Sequence, residues 1–234
     1  MGMTLQDMHD QFLHWFDKQS NNSAPEVTPE EIDIYLNNAQ YQLLKILTEQ
    51  GIEKSQEWLD YTKNITSSQK VTPSTNTAAN KPNGQFVQLP LNYRLSLLEE
   101  ANIQYIDCGT TQTSRVPVVP TTRDEYNKLV SNPFKKPWKE EIIRLTSDGT
   151  SPNYYFELIS FPGSVITDYF IDYLREPARI TFGSLYSTPI TDIPCELESK
   201  AATKIVEIAV ELAMKTMGDS RIQLEQYDKF VKQI

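Results

Sequence analysis

Two rows of apolar residues run side by side near the C-terminal end of the chain: Leu197, Ala201, Ile205, Ile208 and Leu212 form one, Ala202, Val206, Ala209 and Ala213 the other. Both rows have helical spacing, and together they make a stripe too wide for one contact. This helix must therefore pack on more than one neighbour, and its alanines permit close approach. Helices of matching character stand at the other end of the sequence. Thr28-Pro29-Glu30-Glu31 is a helix start, with Thr as N-cap, Pro in the first turn and Glu at the third position. From there Ile32, Tyr35, Leu36, Ala39, Leu43, Ile46 and Leu47 hold a 3.6-residue stripe up to Gly51. Upstream, Leu5, Met8, Phe12, Trp15 and Phe16 predict an amphipathic helix over Leu5 to Lys18. Downstream, Trp58, Leu59 and Tyr61 sit in a third helix from Ser55 to Ile65, and Arg221 to Val231 reads as a short terminal helix after a Met217-Gly218 cap.

Between these helices the period changes. Thr66 to Gln85 is rich in Ser, Thr, Asn, Lys and Pro, and its only apolar side chains are Val71, Ala78 and Ala79. Such a stretch buries too little to offset its ordering cost, so a flexible linker or arm is expected. Then come short β-branched and aromatic runs, Phe86 to Leu89, Asn102 to Asp107, Val116 to Val119, Glu141 to Leu145, Tyr154 to Ser160 and Asp168 to Leu174. One helix, Thr122 to Val130, interrupts them, followed by the proline-punctuated loop Asn132-Pro133-Phe134-Lys135-Lys136-Pro137-Trp138. A polar stretch, Ser184 to Pro194, leads back to helix. The expected fold is α+β: N-terminal helices over 1–65, a linker over 66–85, an inserted antiparallel β-rich domain over 86–183, and C-terminal helices over 184–234 completing a helical bundle.

The chain has 234 residues, enough for roughly 70% of its unfolded surface to be buried, yet only 39% are hydrophobic and the mean hydropathy is -0.47. A partner-dependent or elongated shape follows. A net charge of -9 argues against nucleic acid held on a basic face. The closest glycines, Gly149 and Gly163, lie 14 positions apart, so no phosphate-binding glycine loop can be written. Cys108 and Cys195 make neither a zinc pattern nor a disulfide framework. No stretch approaches the ~18 apolar residues of a membrane span, and no cationic-then-apolar leader opens the chain.

The candidates for chemistry have simpler readings. His9 and His14 are five apart and do not share a helix face as a metal pair would. Glu196, Glu198 and Lys200 could be dressed as the acidic site of a two-metal nuclease, but acids in a first helical turn are what the macrodipole favours. Glu99 with Glu100, or Asp168 with Asp172, could suggest a glycosidase acid/base pair, but charged residues on strands are usually the wet face. Tyr154, Tyr155, Phe156, Tyr169, Phe170 and Tyr173 suit a paired-strand core better than a ligand platform. No catalytic, cofactor-binding or metal-binding residue is expected, and no cofactor. The loop Asn132 to Trp138 is different: two prolines deny it ladder bonding, and Phe134 and Trp138 are flanked by Lys135, Lys136 and Lys139, the composition of an interface anchor and its rim. A lid over the β-domain within the same chain is the competing role for it.

Several short motifs together resemble one family. Glu31-Ile32-Asp33-Ile34-Tyr35-Leu36-Asn37-Asn38-Ala39-Gln40, Val87-Gln88-Leu89-Pro90-Leu91-Asn92-Tyr93 and the Asn132 to Pro137 loop are similar to segments of the ring, or head-to-tail adaptor, proteins of crAss-like podoviruses. Asp172-Tyr173-Leu174-Arg175-Glu176-Pro177 and the stretch from Cys195-Glu196-Leu197 through Glu207 to Ala213 continue the resemblance, which runs from Thr28 to Met217. It implies a virion structural protein at the head–tail junction, synthesised in the bacterial host cytoplasm. It further implies self-association into a ring of twelve copies, contacts with the portal protein and neighbouring ring or tail proteins, and packaged DNA passing through the lumen without specific binding. The alternative is a virion-associated metal-dependent nuclease or hydrolase.

Overall fold

The computed structural model describes residues 3–20, 27–49, 60–74, 81–132, 134–147, 155–186, 188 and 190–216. Four α-helices stand among them: α1 (Leu5–Ser20), α2 (Pro29–Glu49), α3 (Arg123–Ser131) and α4 (Ser199–Thr216). There are seven strands: β1 (Thr66–Val71), β2 (Gly84–Gln88), β3 (Tyr93–Asp107), β4 (Thr110–Pro120), β5 (Ile142–Ser147), β6 (Tyr155–Ile159) and β7 (Ser164–Arg175). The chain divides into two compact units, one made of Met1–Ile65 with Pro177–Ile234 and the other of Thr66–Glu176. Of the third expected helix, residues 60–62 are helical and run into a 3-10 turn, Lys63–Ile65; Ser55 to Leu59 and the terminal helix from Arg221 lie outside the described residues.

In the helical unit the sequence signals act as written. Thr28 and Glu31 form a reciprocal capping box: the Thr28 N–H donates to Glu31 Oε2 at 2.9 Å, and the Glu31 N–H donates to Thr28 Oγ1 at 3.3 Å. Both α1 and α2 pack on α4, whose Ala201, Ala202, Ile205, Val206, Ile208, Ala209, Val210, Ala213 and Met214 are buried. Met8, Phe12 and Phe16 of α1 and Ile32, Leu36, Ala39, Leu43, Leu44 and Leu47 of α2 complete the core.

A second, polar row of α2 does as much structural work. Asp33, Asn37 and Gln40 recur at helical spacing and grip the extended segment that follows the sheet. Asn37 accepts from the Ile180 N–H at 2.9 Å and donates to the Ile180 carbonyl at 2.7 Å, while Gln40 Nε2 donates to the Ala178 carbonyl at 3.1 Å. Asp33 Oδ2 accepts from the Phe182 N–H and from the Tyr186 hydroxyl, both at 2.7 Å, and its Oδ1 lies 2.8 Å from His9 Nε2. The segment thus finds side-chain partners for backbone groups that an irregular stretch would otherwise bury unpaired. The polar Ser184 to Pro194 stretch is also tied down. Thr181 and Ile193 form a bridge, and a Cβ on Gly183 would fall 2.7 Å from the Ile190 carbonyl oxygen, so only glycine fits there.

The sheet has the order β1-β7-β3-β4-β5-β6-β2 and curls until its ends meet. Ser74, just past β1, exchanges two 2.8 Å backbone hydrogen bonds with Phe86 of β2. Beside it Gln85 takes the place of a ladder residue, its Oε1 accepting from the Ile166 N–H at 2.6 Å and its Nε2 donating to the Ile166 carbonyl at 3.2 Å. Register shifts between β3 and β7 bend these long strands into the curl. The β3–β4 hairpin turns through Cys108 and Gly109, both at positive φ (48° and 81°), as a two-residue turn of the primed type requires. Inside the curl lie Val87, Ala101, Ile103, Val116, Val118, Ile142, Phe156, Leu158, Ile166, Tyr169 and Ile171. α3 covers the outer face of β5 and β6 through Tyr126, Leu129, Ile143, Leu145 and Ile159.

Three expectations are corrected. Thr66 to Gln85 is not a linker throughout. Thr66–Val71 pairs residue for residue with Leu174–Tyr169, because main-chain bonds hold a polar strand at a sheet edge and Lys70 reaches Asp168 at 2.8 Å; residues 75–80 lie outside the described set. The sheet is not wholly antiparallel: β4 and β5 are parallel, since α3 carries the chain back to the starting end. The β-rich unit ends at Glu176 rather than at residue 183, where α2 takes over the chain's hydrogen bonds.

Two outcomes are expected. Asp33→Ala strands two donors and His9, and should lower stability by ~3 kcal/mol or more in chemical denaturation, whereas Ile34→Ala, exposed on the same helix, should stay within about 0.5 kcal/mol. Glu157, buried on β6, has its carboxyl pushed above the ordinary range by burial, so the folded state holds that proton more tightly than the unfolded chain. Its contribution is present at acid pH and is lost as pH rises through the folded value. Glu157→Gln should therefore raise Tm more at pH 7 than at pH 4, read by melting at both.

Candidate interface

The loop Asn132 to Trp138 leaves α3 and returns to β5. α3 is capped by Thr122, whose side chain accepts from the Glu125 N–H, and it ends where the Asn132 N–H bonds the Leu129 carbonyl. Asn132 then builds the turn. Its Oδ1 accepts from the Phe134 N–H at 2.9 Å, and its carbonyl accepts from the N–H groups of Lys135 and Lys136 at 3.1 and 3.0 Å. The far end closes when Trp138 and Glu141 exchange two backbone hydrogen bonds. Pro133 lies outside the described residues, and Pro137 is buried.

The two aromatic residues of the loop have different surroundings. Trp138 is 52% exposed and packs on Phe161, ring centroids 5.1 Å apart, and Phe161 in turn meets Tyr105 edge-on at 5.5 Å. Lys139 Nζ donates to Asp107 Oδ2 at 2.8 Å and lies over the Tyr105 ring, and the Asp107 carboxylate holds the ammonium above its usual range. This end of the loop is fastened to its own unit. Phe134 is 95% exposed, with Lys135 and Lys136 exposed beside it. The turn therefore presents one bare aromatic ring followed in sequence by two exposed lysines.

The acidic candidates are structural partners. Glu196 accepts from the Ala178 N–H at 2.8 Å, Glu198 pairs with Lys63 at 2.7 Å, and Asp168 pairs with Lys70 and accepts from Asn102. Glu100 meets Arg115 at 2.6 Å, and Arg115 with Lys70 brackets the Phe170 ring on the outer sheet face. His9 is buried against Asp33 and Phe182, and His14 is exposed. Among the described residues, no three His, Cys, Asp or Glu side chains gather as a metal site would need.

Sequence reasoning missed one constellation. Arg144 of β5 grips Glu99 of β3 with two bonds, Nε at 3.0 Å and Nη2 at 2.7 Å, and Tyr169 donates to the same carboxylate at 2.8 Å. Burial, then the Glu99 charge, pushes the Tyr169 phenol far above its ordinary range. The three polar groups satisfy one another inside the curl, and Arg144 stacks on Phe156 at 4.0 Å. Alternation places Glu99 on the same side as Ala101 and Ile103, which is the one signal that marks it as inward.

This is a two-unit α+β protein in which, among the described residues, the buried charges Asp33 and Glu99 are each held by specific partners and Phe134 is 95% exposed. Residues 3–222 match the phage tail ring protein 3/4 family, and the chain belongs to that family. The match begins at residue 3 and so takes in α1, which the short motifs left out. The chain is 25% identical over 241 residues to ring protein 4/5 of Bacteroides phage crAss001, covering 95% of this chain and 98% of the relative. It is 24% identical over 211 residues to ring protein 3 of the same phage, covering 82% and 87%.

The division within the loop has a thermodynamic consequence. Trp138→Ala should lower folding stability by about 1–2 kcal/mol, less than for a fully buried tryptophan, while Phe134→Ala should stay within about 0.5 kcal/mol. Urea titration of both variants reads this directly.

Proposed function

We propose that this chain is a virion structural protein that assembles into a ring at the head–tail junction, as a portal adaptor or connector through which phage DNA passes. The family match carries the reading, since it runs through both units rather than through a single motif. In this reading the helical segments before Thr66 and after Glu176 form a bundle with the β-rich unit inserted, and twelve copies close the ring. The loop from Asn132 to Trp138, through Asn132, Pro133, Phe134, Lys135, Lys136, Pro137 and Trp138, belongs to the subunit's contact surface. Portal protein and neighbouring ring or tail proteins stack above and below.

The charge supports passage of DNA rather than its capture. A net charge of -9 argues against DNA held on a basic face, and in this reading a lumen sharing that charge would repel the duplex as it slides. No catalysis enters this role. The carboxylates a nuclease would need, Glu196 and Glu198, are already engaged by Ala178 and Lys63.

Native mass spectrometry of the purified chain, alone and with portal protein, tests the proposal. A discrete closed oligomer is expected, with twelve copies, and no turnover of DNA, glycan or peptide. A chain that stays monomeric in both conditions, or a hydrolytic activity abolished by Glu198→Ala, would refute it.

A further inference from the structure

Strand β4 is paired on one side for longer than on the other. Along β3 its register runs from Asp107 opposite Thr110 to Glu100 opposite Pro117, whereas β5 begins at Ile142 and takes only Val118 to Pro120. The two-residue turn sets the phase of the bonds. Asp107 and Thr110 flank it as a hydrogen-bonded pair, so Thr110, Gln112, Ser114 and Val116 bond β3, while the backbone groups of Thr111, Thr113 and Arg115 point to the other side. Two observations agree with that phase: Pro117, with no N–H to offer, falls in the outward set, and so does Thr121, whose N–H donates to the Arg144 carbonyl of β5 at 2.9 Å. Thr111, Thr113 and Arg115 are exposed, and among the described residues no strand pairs with this side of β4 before Val118. Nor is the edge guarded. Proteins protect open edges with lysines, prolines or bulges, yet Thr110 to Val116 has neither lysine nor proline and its register with β3 is unbroken.

β1 is a second open edge in the same unit. It stands at one end of the strand order with β7 beside it, and the bridge that closes the curl, Ser74 to Phe86, lies beyond its last residue, Val71. Ser68, Gln69 and Lys70 are exposed in succession, so both faces of the strand meet solvent. Like the open run of β4, it is short and polar. The cation on each strand is already engaged within its own copy, Lys70 by Asp168 and Arg115 by Glu100, so bringing the two strands together opposes no free like charges.

We propose that the open edge of β4 in one copy of this chain pairs with the open edge of β1 in the next copy, continuing the sheet from subunit to subunit. The inference rests on the ring reading above and supplies one of its contacts. Outward N–H and carbonyl groups at strand spacing are matched by the backbone of another extended chain, which sets the kind of partner. That partner is a second copy because each copy carries both halves of the pair, on different strands. Such a contact is heterologous, and its repetition about an axis closes a ring.

The test follows the full chain by native mass spectrometry across a concentration series and by residue-resolved amide hydrogen exchange below and above assembly. The amides of Thr111, Thr113 and Arg115 should exchange freely in the monomer and slow by about a hundredfold or more in the ring, together with alternate amides between Ser67 and Val71. Gln112 and Ser114, bonded to β3, should be protected in both states. Thr113→Pro removes one outward N–H and leaves the β3 bonds in place, as Pro117 already does, and should raise the concentration needed for assembly about tenfold or more. The pair Thr111→Lys with Thr113→Lys, which keeps the backbone intact, should act in the same direction even where the proline lowers Tm. Rings in which the β4 amides exchange as in the monomer, or in which β4 slows and β1 does not, would overturn this contact and leave the ring reading standing. So would rings formed by the lysine pair at wild-type concentrations. A wild-type chain that never assembles would overturn both.

Discussion

The rest of the helical unit depends on how α2 receives the chain after the sheet. A chain that leaves a helical unit at Ile65 and rejoins it at Pro177 must re-enter as an irregular segment, and irregular backbone is costly to bury. Asp33, Asn37 and Gln40 remove that cost by acting as a substitute strand, bonding backbone groups of Ala178, Ile180 and Phe182. Only with this segment held does α4 begin where its two apolar rows meet α1 and α2.

In the β-rich unit the equivalent constraint is closure. A curled sheet with open edges would present unpaired backbone, and Gln85 with the Ser74–Phe86 bridge joins the two ends. The interior that closure creates also contains the Glu99–Arg144–Tyr169 group. A buried ion pair is weak evidence for stability on its own, since desolvation offsets much of the Coulomb gain. What it contributes here is register. Glu99 and Arg144 come from β3 and β5, two strands that are not neighbours in the sheet, and a slip of either by one residue would turn its charge to the opposite face.

Once both interiors are satisfied, most surface features are accounted for by pairs within one unit, such as Lys63 with Glu198 or Lys70 with Asp168. Among the exposed large apolar residues, which include Ile106 and Leu91, Phe134 has the barest side chain, 95% exposed, on a turn that Asn132 shapes. That separates Phe134 from Trp138, whose ring already rests on Phe161.

The sequence by itself determined the local elements. Capping residues at Thr28 and Thr122, the stripes of α2 and α4 and the short aromatic and β-branched runs are signals written within a few residues of one another, so α1 to α4 stand where local physics puts them, and each of the six expected runs falls in a strand, though β3 and β4 extend well beyond theirs. It also marked the Asn132 to Trp138 loop, because prolines and lysines around two aromatic rings are a local pattern. Tertiary structure alone decided the rest. Nothing near Thr66 announces an edge strand, since its partners are residues 169–174 of β7. Nothing near Asp33 announces a grip on a segment about 150 positions away, and Glu99 reads as a surface charge until Arg144 and Tyr169 close around it. The division of the loop into a fastened Trp138 and a bare Phe134 was equally invisible, because Phe161 lies more than twenty residues downstream. Periodicity and capping act through bonds between residues three or four apart, whereas satisfaction of buried polar groups acts through whichever groups the fold brings within about 3 Å.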